Sequence, residues 1–173
     1  MDLKEKIIDV NRIYEGKKIN VDVLKVKMPN NKEAIREIVD RKNGVVILAI
    51  DDENNVIVEE QYRNTFKRGI VGLPAGKRDG AEDLLDTAKR ELEEETSLIA
   101  KDLKLICVSD DMTDTAHYVT AGFLVNCYEG EIKAMEPETI LEWKWFDIDN
   151  LPENMYKPSK VVIEKYLNNI IYE

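Results

Sequence analysis

Apolar and polar residues alternate through the opening of the chain. Ile19, Val21 and Val23 point one way, and after a one-residue change of parity at Leu24 the alternation continues with Val26 and Met28. A period of two predicts half-buried strands, and the parity change marks a candidate bulge. A Pro-Asn-Asn turn at 29–31 and a second strand around 34–40 predict a hairpin. From Gly44 the run VVILAID is continuously apolar, as in a strand buried on both faces. Asp-Glu-Asn-Asn at 52–55 then turns the chain into the returning strand VIVEEQYR. Residues 72–82, GLPAGKRDGAE, read as a loop by their glycines and proline. The strongest helical period covers 83–96. Strand-like stretches follow at 103–109, 118–127 and 140–146, with a Glu-Gly turn at 129–130. From Lys160, residues Val161, Val162, Lys165, Leu167 and Ile170 predict a closing helix. Strands around one central helix, with another helix at the end, predict a mixed α/β or α+β class.

Composition narrows what such a fold can do. The 173 residues allow one domain, or a compact domain with a small extra module. The division expected is a β module over 1–42 and a main domain over 43–173. Thirty-five acids against 25 bases give a formal charge of −10. That surface repels nucleic-acid phosphates and anionic membranes, so neither is expected as a partner. A polyanionic small molecule stays possible if divalent metal screens it. No apolar run reaches membrane-spanning length, and the start MDLKEKIIDV has no apolar signal core, which points to the cytoplasm. Cys107 and Cys127 form no CxxC pair, and His117 is the only histidine. Zinc and disulfide frameworks are therefore not expected, and any chemistry must rest on carboxylates.

The helix DLLDTAKRELEEET offers those carboxylates in an unusual place. At about 100° per residue, with Glu91 at zero, Leu84, Ala88, Leu92 and Leu85 fall at about 20, 60, 100 and 120°. Glu93 lies opposite this apolar stripe at about 200°, where a solvated acid belongs. Glu95 at about 40° and Glu94 at about −60° sit with Glu91 along the stripe's rim. Acids gathered at a core edge repel one another and lose hydration. A hard divalent cation resolves this, and Arg90 can partner Glu94 at i,i+4. Geometry alone leaves a metal site and a salt-bridged face about equally favoured.

Spacing adds a second line. Five residues separate Gly76 from Glu82 and seven more lead to Arg90-Glu91, followed by Leu92, Glu93, Glu94-Glu95, Thr96, Ser97 and Leu98. This resembles the Nudix box, Gly-x5-Glu-x7-Arg-Glu-U-x-Glu-Glu-x-Gly-U with U apolar, and departs from it only at Ser97. The missing glycine closes the helix, where a positive φ is often wanted; serine there implies some strain and no lost chemistry. The resemblance implies an α/β/α sandwich and hydrolysis of a nucleoside diphosphate linked to another group, using magnesium or manganese. It implies Glu91, Glu94, Glu95 and the carbonyl of Ala75 as metal ligands, and Arg90 as the group that orients a catalytic carboxylate. Glu82 is expected to brace the loop or to reach metal through water. Glu91 is one candidate base. Glu136 and Glu138 in AMEPET lie where family members recruit a downstream glutamate, and they read equally well as ordinary loop acids.

The flanks bear on the substrate. Upstream, GVVILAIDDENNVIVEEQYR, then nine residues, then LPAGK is similar to the ADP-ribose pyrophosphatase group. There Arg63 matches a substrate-binding arginine, and the N-terminal strands match a dimerisation module. Gly72 and Thr65 depart from that group's usual glutamate and proline. Downstream, EPETILEWKWFDIDNLPENMY looks closer to Nudix members that cleave nucleoside triphosphates. Trp143 and Trp145 there share one strand face and are expected in the core. An ADP-ribose or ADP-sugar hydrolase comes first and a triphosphate pyrophosphohydrolase second. A catalytically dead sensor is disfavoured because the box keeps all its acids.

Overall fold

The computed structural model describes all residues except 1–2, 17–18, 42, 65, 113–116, 136–139 and 173. By internal packing the chain divides into Met1–Lys42 and Asn43–Glu173.

The first unit is a three-stranded antiparallel sheet of β1 (Lys6–Glu15), β2 (Ile19–Lys27) and β3 (Glu33–Arg41), in that spatial order. The β2–β3 hairpin turns at Asn31, which takes a left-handed φ of 66°. The parity change at Leu24 is not a bulge in this hairpin, because β2 and β3 pair in unbroken register from Ile19↔Arg41 to Lys27↔Glu33. The extra residues belong to β1, whose register against β2 shifts between Ile7 and Asp9 and between Arg12 and Tyr14. Leu24 and Val26 simply present an apolar pair on the face opposite Val21 and Val23. Arg12–Asp22, at 2.7 Å, and Lys25–Glu33, also at 2.7 Å, tie neighbouring strands together.

The second unit has two sheets and two helices. β4 (Gly44–Ala49), β7 (Ala75–Lys77), β8 (Ile99–Met112) and β9 (His117–Glu129) form a sheet in the order β7-β4-β9-β8. β5 (Asn55–Arg63), β6 (Arg68–Gly72) and β10 (Ile140–Asp147) form another in the order β10-β5-β6. The continuous apolar run at β4 is explained by its place: it pairs parallel with β9 and is covered on both sides. Val46, Leu48 and Ile50 join one core cluster with Val162 and Ile163 of α2 (Lys157–Leu167). Val45, Ile47 and Ala49 join another with Ala88 and Leu92 of α1 (Leu84–Thr96). Helices therefore flank the strands on both faces, the α/β/α arrangement that the box resemblance implied.

Two boundaries differ from the sequence reading. The stretch 72–82 is not all loop: β7 pairs with β4 through Gly44↔Lys77 and Val46↔Ala75. Three residues are too few to show a period, so this strand was invisible. The closing helix begins at Lys157, with proline in its first turn, and ends at Leu167, so Ile170 lies beyond it.

α1 is capped at both ends by its own sequence. The Asp83 side chain accepts the Asp86 N–H at 2.8 Å. At the other end Ser97 adopts φ 67°, and its N–H reaches the Glu93 carbonyl. Serine thus occupies the left-handed position where glycine has no steric penalty. Ser97→Gly is expected to raise stability by about 1 kcal/mol, read as a higher Tm and denaturant midpoint with unchanged secondary structure.

Candidate active site

The acids of α1 face β7. Glu95 is 8% exposed and accepts the Ala75 N–H through Oε2 at 3.1 Å. Glu91, one turn earlier, accepts the Lys77 N–H through Oε1 at 3.1 Å. Its carboxylate lies directly on Gly76, where an added Cβ would come within 1.8 Å of Glu91 Cδ. Only glycine lets the strand pass this close to the acid. Burial pushes the Glu91 carboxyl above the usual carboxylate range, against the opposing pull of Arg90. Glu94 is more exposed and is held by Arg90 at 2.8 Å.

Arg90 organises this surface. Its guanidinium reaches Glu82 at 2.7 Å, Glu91 at 2.9 Å, Glu94 at 2.8 Å and the Lys77 carbonyl at 3.0 Å. The hydrogen bonds it donates to Glu82 and Glu94 hold it firmly protonated. Glu82 also accepts from the Asp79 N–H at 2.7 Å and from the Thr87 hydroxyl at 3.1 Å. Its role is to brace the 77–82 loop against the start of α1. This bracing changes the buried face of the helix: Thr87 is fully buried, while Leu85, expected in the apolar stripe, is 37% exposed. The stripe turns toward the polar loop in its first turn because the loop packs there.

Trp143 adds a contact the sequence did not announce. Its indole N–H donates to the Glu95 carbonyl at 3.1 Å, tying β10 to the last turn of α1. Trp145, on the same face, stacks on Tyr128 with ring centroids 6.1 Å apart. Both rings pack against the α1-side core, as expected. Among the described residues no three acids converge closely enough to hold a metal ion; each carboxylate is turned to an N–H donor or to Arg90. The donor set itself still suits a hard divalent cation: carboxylates at i, i+3 and i+4 on one helical face, beside a strand without a side chain at Gly76.

The NUDIX domain pattern matches residues 40–166, three quarters of the chain in one continuous stretch. The chain belongs to the Nudix family. It is 42% identical over 121 residues to an ADP-ribose pyrophosphatase of Bacillus subtilis (strain 168), covering 70% of this chain and 61% of that protein. The match thus spans less than two thirds of that relative. Among solved structures, a MutT Nudix hydrolase from Burkholderia pseudomallei superposes with a TM-score of 0.63 at 27% identity, covering 71% of this chain and 95% of the other. An ADP compounds hydrolase superposes with a TM-score of 0.75, covering 97% of this chain and 95% of its own; at 17% identity it speaks for the fold alone.

Of the residues singled out beforehand, this Nudix chain brings Ala75, Arg90, Glu91, Glu94 and Glu95 together at the β7–α1 contact. Arg63 ends β5, outside that contact. Its guanidinium lies 5.4 Å from the centre of the Tyr156 ring and 4.0 Å from Glu59. Glu136 and Glu138 fall outside the described residues. Glu59, buried in β5, was not among the candidates. A clue lay in VIVEE, where an acid occupies the position that continues the Ile57 face.

The brace makes an acid-stability prediction. Bonds from Arg90, then from the Asp79 N–H, hold the Glu82 carboxyl down at about 2 against an ordinary 4.5. Its folded value is depressed, so its contribution is complete above 4.5 and is lost as pH falls through about 2. Melting curves should show the wild type losing its advantage over Glu82→Gln within that window and keeping it at neutral pH.

Proposed function

We propose that this protein is a metal-dependent pyrophosphohydrolase that cleaves ADP-ribose or a related ADP-sugar to AMP and a sugar phosphate. The observation that carries the reading is the face of α1 beside β7, where Arg90 holds Glu91 and Glu94 and the Ala75 N–H holds Glu95. The similarity to an ADP-ribose pyrophosphatase supports the substrate class. In this reading Glu91, Glu94, Glu95 and the Ala75 carbonyl hold magnesium or manganese. A divalent cation there neutralises diphosphate charge and lowers the pKa of bound water. Arg90 orients Glu91 and Glu94, and Gly76 lets Glu91 lie against the backbone. Glu91 or Glu138 takes the proton of the attacking water. Glu136 and Arg63 bind substrate, Arg63 by charge-assisted hydrogen bonds to phosphate.

Glu95→Gln should fold normally and lose at least about a hundredfold in turnover; full activity at ordinary magnesium would remove Glu95 from the site. Arg63→Lys should lower kcat/KM about ten- to hundredfold, the cost of one charged hydrogen bond, with most of the loss in KM.

A second reading has its own support. The C-terminal half, with its EPE and Trp-x-Trp run, resembles triphosphate-cleaving members, and the MutT hydrolase structure shares 27% identity. Chromatography separates the two. ADP-ribose should give AMP and ribose 5-phosphate; pyrophosphate from a nucleoside triphosphate, with ADP-ribose intact, would overturn the first reading and spare the carboxylate site.

We further propose that the protein acts in the cytoplasm and that residues 1–42 join two copies. In that sheet Tyr14, Val21 and Val39 are successive cross-strand partners on one face, and Tyr14 and Val39 are each more than half exposed. A three-stranded sheet without a helix of its own gains stability by covering such a face. Light scattering should give twice the chain mass; a monomer at every practical concentration would reject the dimer.

A further inference from the structure

The sheet β10-β5-β6 carries a row of side chains that the box does not include. Trp143, Glu59 and Gly72 are successive cross-strand partners and so share one face. The chain at 154–156 extends the row: Val71 and Met155 form a parallel bridge, and the Tyr156 N–H donates to the Val71 carbonyl at 2.6 Å. Tyr156 therefore flanks Gly72, its Cβ 3.9 Å from where a Cβ on Gly72 would stand. The Ser159 hydroxyl accepts the Leu73 N–H at 3.1 Å and pins the first turn of α2 to the same strand. Tyr156 is thus fixed from both sides in sequence.

Glu59 is the unusual member of this row. It is 3% exposed, with an aromatic ring on one flank and a glycine on the other. A Cβ on Gly72 would stand in ordinary van der Waals contact, 3.9 Å from Glu59 Oε1 and 3.6 Å from Ser159 Oγ, so carboxylate, serine and tyrosine close around this backbone position. A buried carboxylate calls for a cation. Arg63, four residues on along the same strand, supplies it at 4.0 Å. Its side chain is 42% exposed, and the guanidinium lies over the Tyr156 ring, 5.4 Å from its centre. Held by a carboxylate and a ring face, an arginine keeps further N–H donors for a third, anionic group in a fixed plane.

We propose that Glu59 and Tyr156 are positioning residues that preset the Arg63 guanidinium for a phosphate oxygen of a nucleoside diphosphate ligand. The proposal rests on Arg63 being a substrate anchor. An arginine already ordered loses less side-chain freedom on binding, so the benefit falls on affinity and leaves the chemical step alone.

Steady-state kinetics on the hydrolysed ADP compound, together with calorimetric binding of ADP, test it in the full chain. Glu59→Gln and Tyr156→Leu should each raise KM and the ADP dissociation constant about tenfold, with kcat within about twofold. Tyr156→Phe, which keeps the ring, should restore near wild-type values. In an Arg63→Ala background, Glu59→Gln should add no further loss. An equal loss from Glu59→Gln in both backgrounds, or an unchanged KM in the single variant, overturns the proposal while the anchor stands. Unchanged KM and ADP binding in Arg63→Ala overturn the anchor, and the proposal with it. If Glu59→Gln does not fold, the Tyr156→Leu and Tyr156→Phe pair decides: equal KM values reject the proposal.

Discussion

A single guanidinium orders the acidic face of α1. Arg90 bonds three carboxylates and one backbone carbonyl, and those groups belong to two segments, the 77–82 loop and α1. Glu82 and the Lys77 carbonyl come from the loop before α1; Glu91 and Glu94 come from α1 itself. Without a cation at that point, like charges on one helix face would repel, and burial of Glu91 would favour its protonated form. With it, that repulsion is offset and the burial of Glu91 is opposed, beside a strand that glycine has stripped of a side chain. The concentration of negative charge that the proposed chemistry needs is thus made tolerable by one neighbour supplied by the same helix.

The fold serves that arrangement by rigidity. β4 is buried on both faces and carries β7 on one edge, so the backbone N–H groups that meet Glu91 and Glu95 are set by the core. α1 is anchored to the same core by Ala88 and Leu92 and clamped at its last turn by Trp143. Helix and strand therefore approach each other at a distance fixed by packing, and the acids inherit that precision. Glu59 of β5 is the cross-strand partner of Trp143, so Trp143 both bonds the acidic helix and pairs with the carboxylate that faces Arg63.

Much of this was legible in the residues. The period of α1 and the rim position of Glu91 and Glu95 followed from spacing, and the doubly covered β4 from its unbroken apolar run. The left-handed turn at Ser97 was readable as a departure from a glycine pattern. What stayed hidden depends on contacts between distant segments. β7 is too short to have a period. Leu85 lost its place in the core to Thr87 because the loop braced by Glu82 packs there. The two indoles had the look of core residues and are such, but the bond from Trp143 to Glu95 needs β10 beside α1, which no local pattern encodes. Glu59 left only a faint trace, an acid continuing the Ile57 face, because a buried acid in a strand is recognised only once its cation is in view.

The central claim is that the α1 acids beside Arg90, Glu91 among them, hold a divalent cation. Manganese binding to the protein without substrate, followed by electron paramagnetic resonance, addresses this without relying on turnover. The account predicts saturable binding to the wild type, weakened about tenfold or more in Glu91→Gln, with both proteins equally folded. Equal manganese affinity in the two proteins would contradict it.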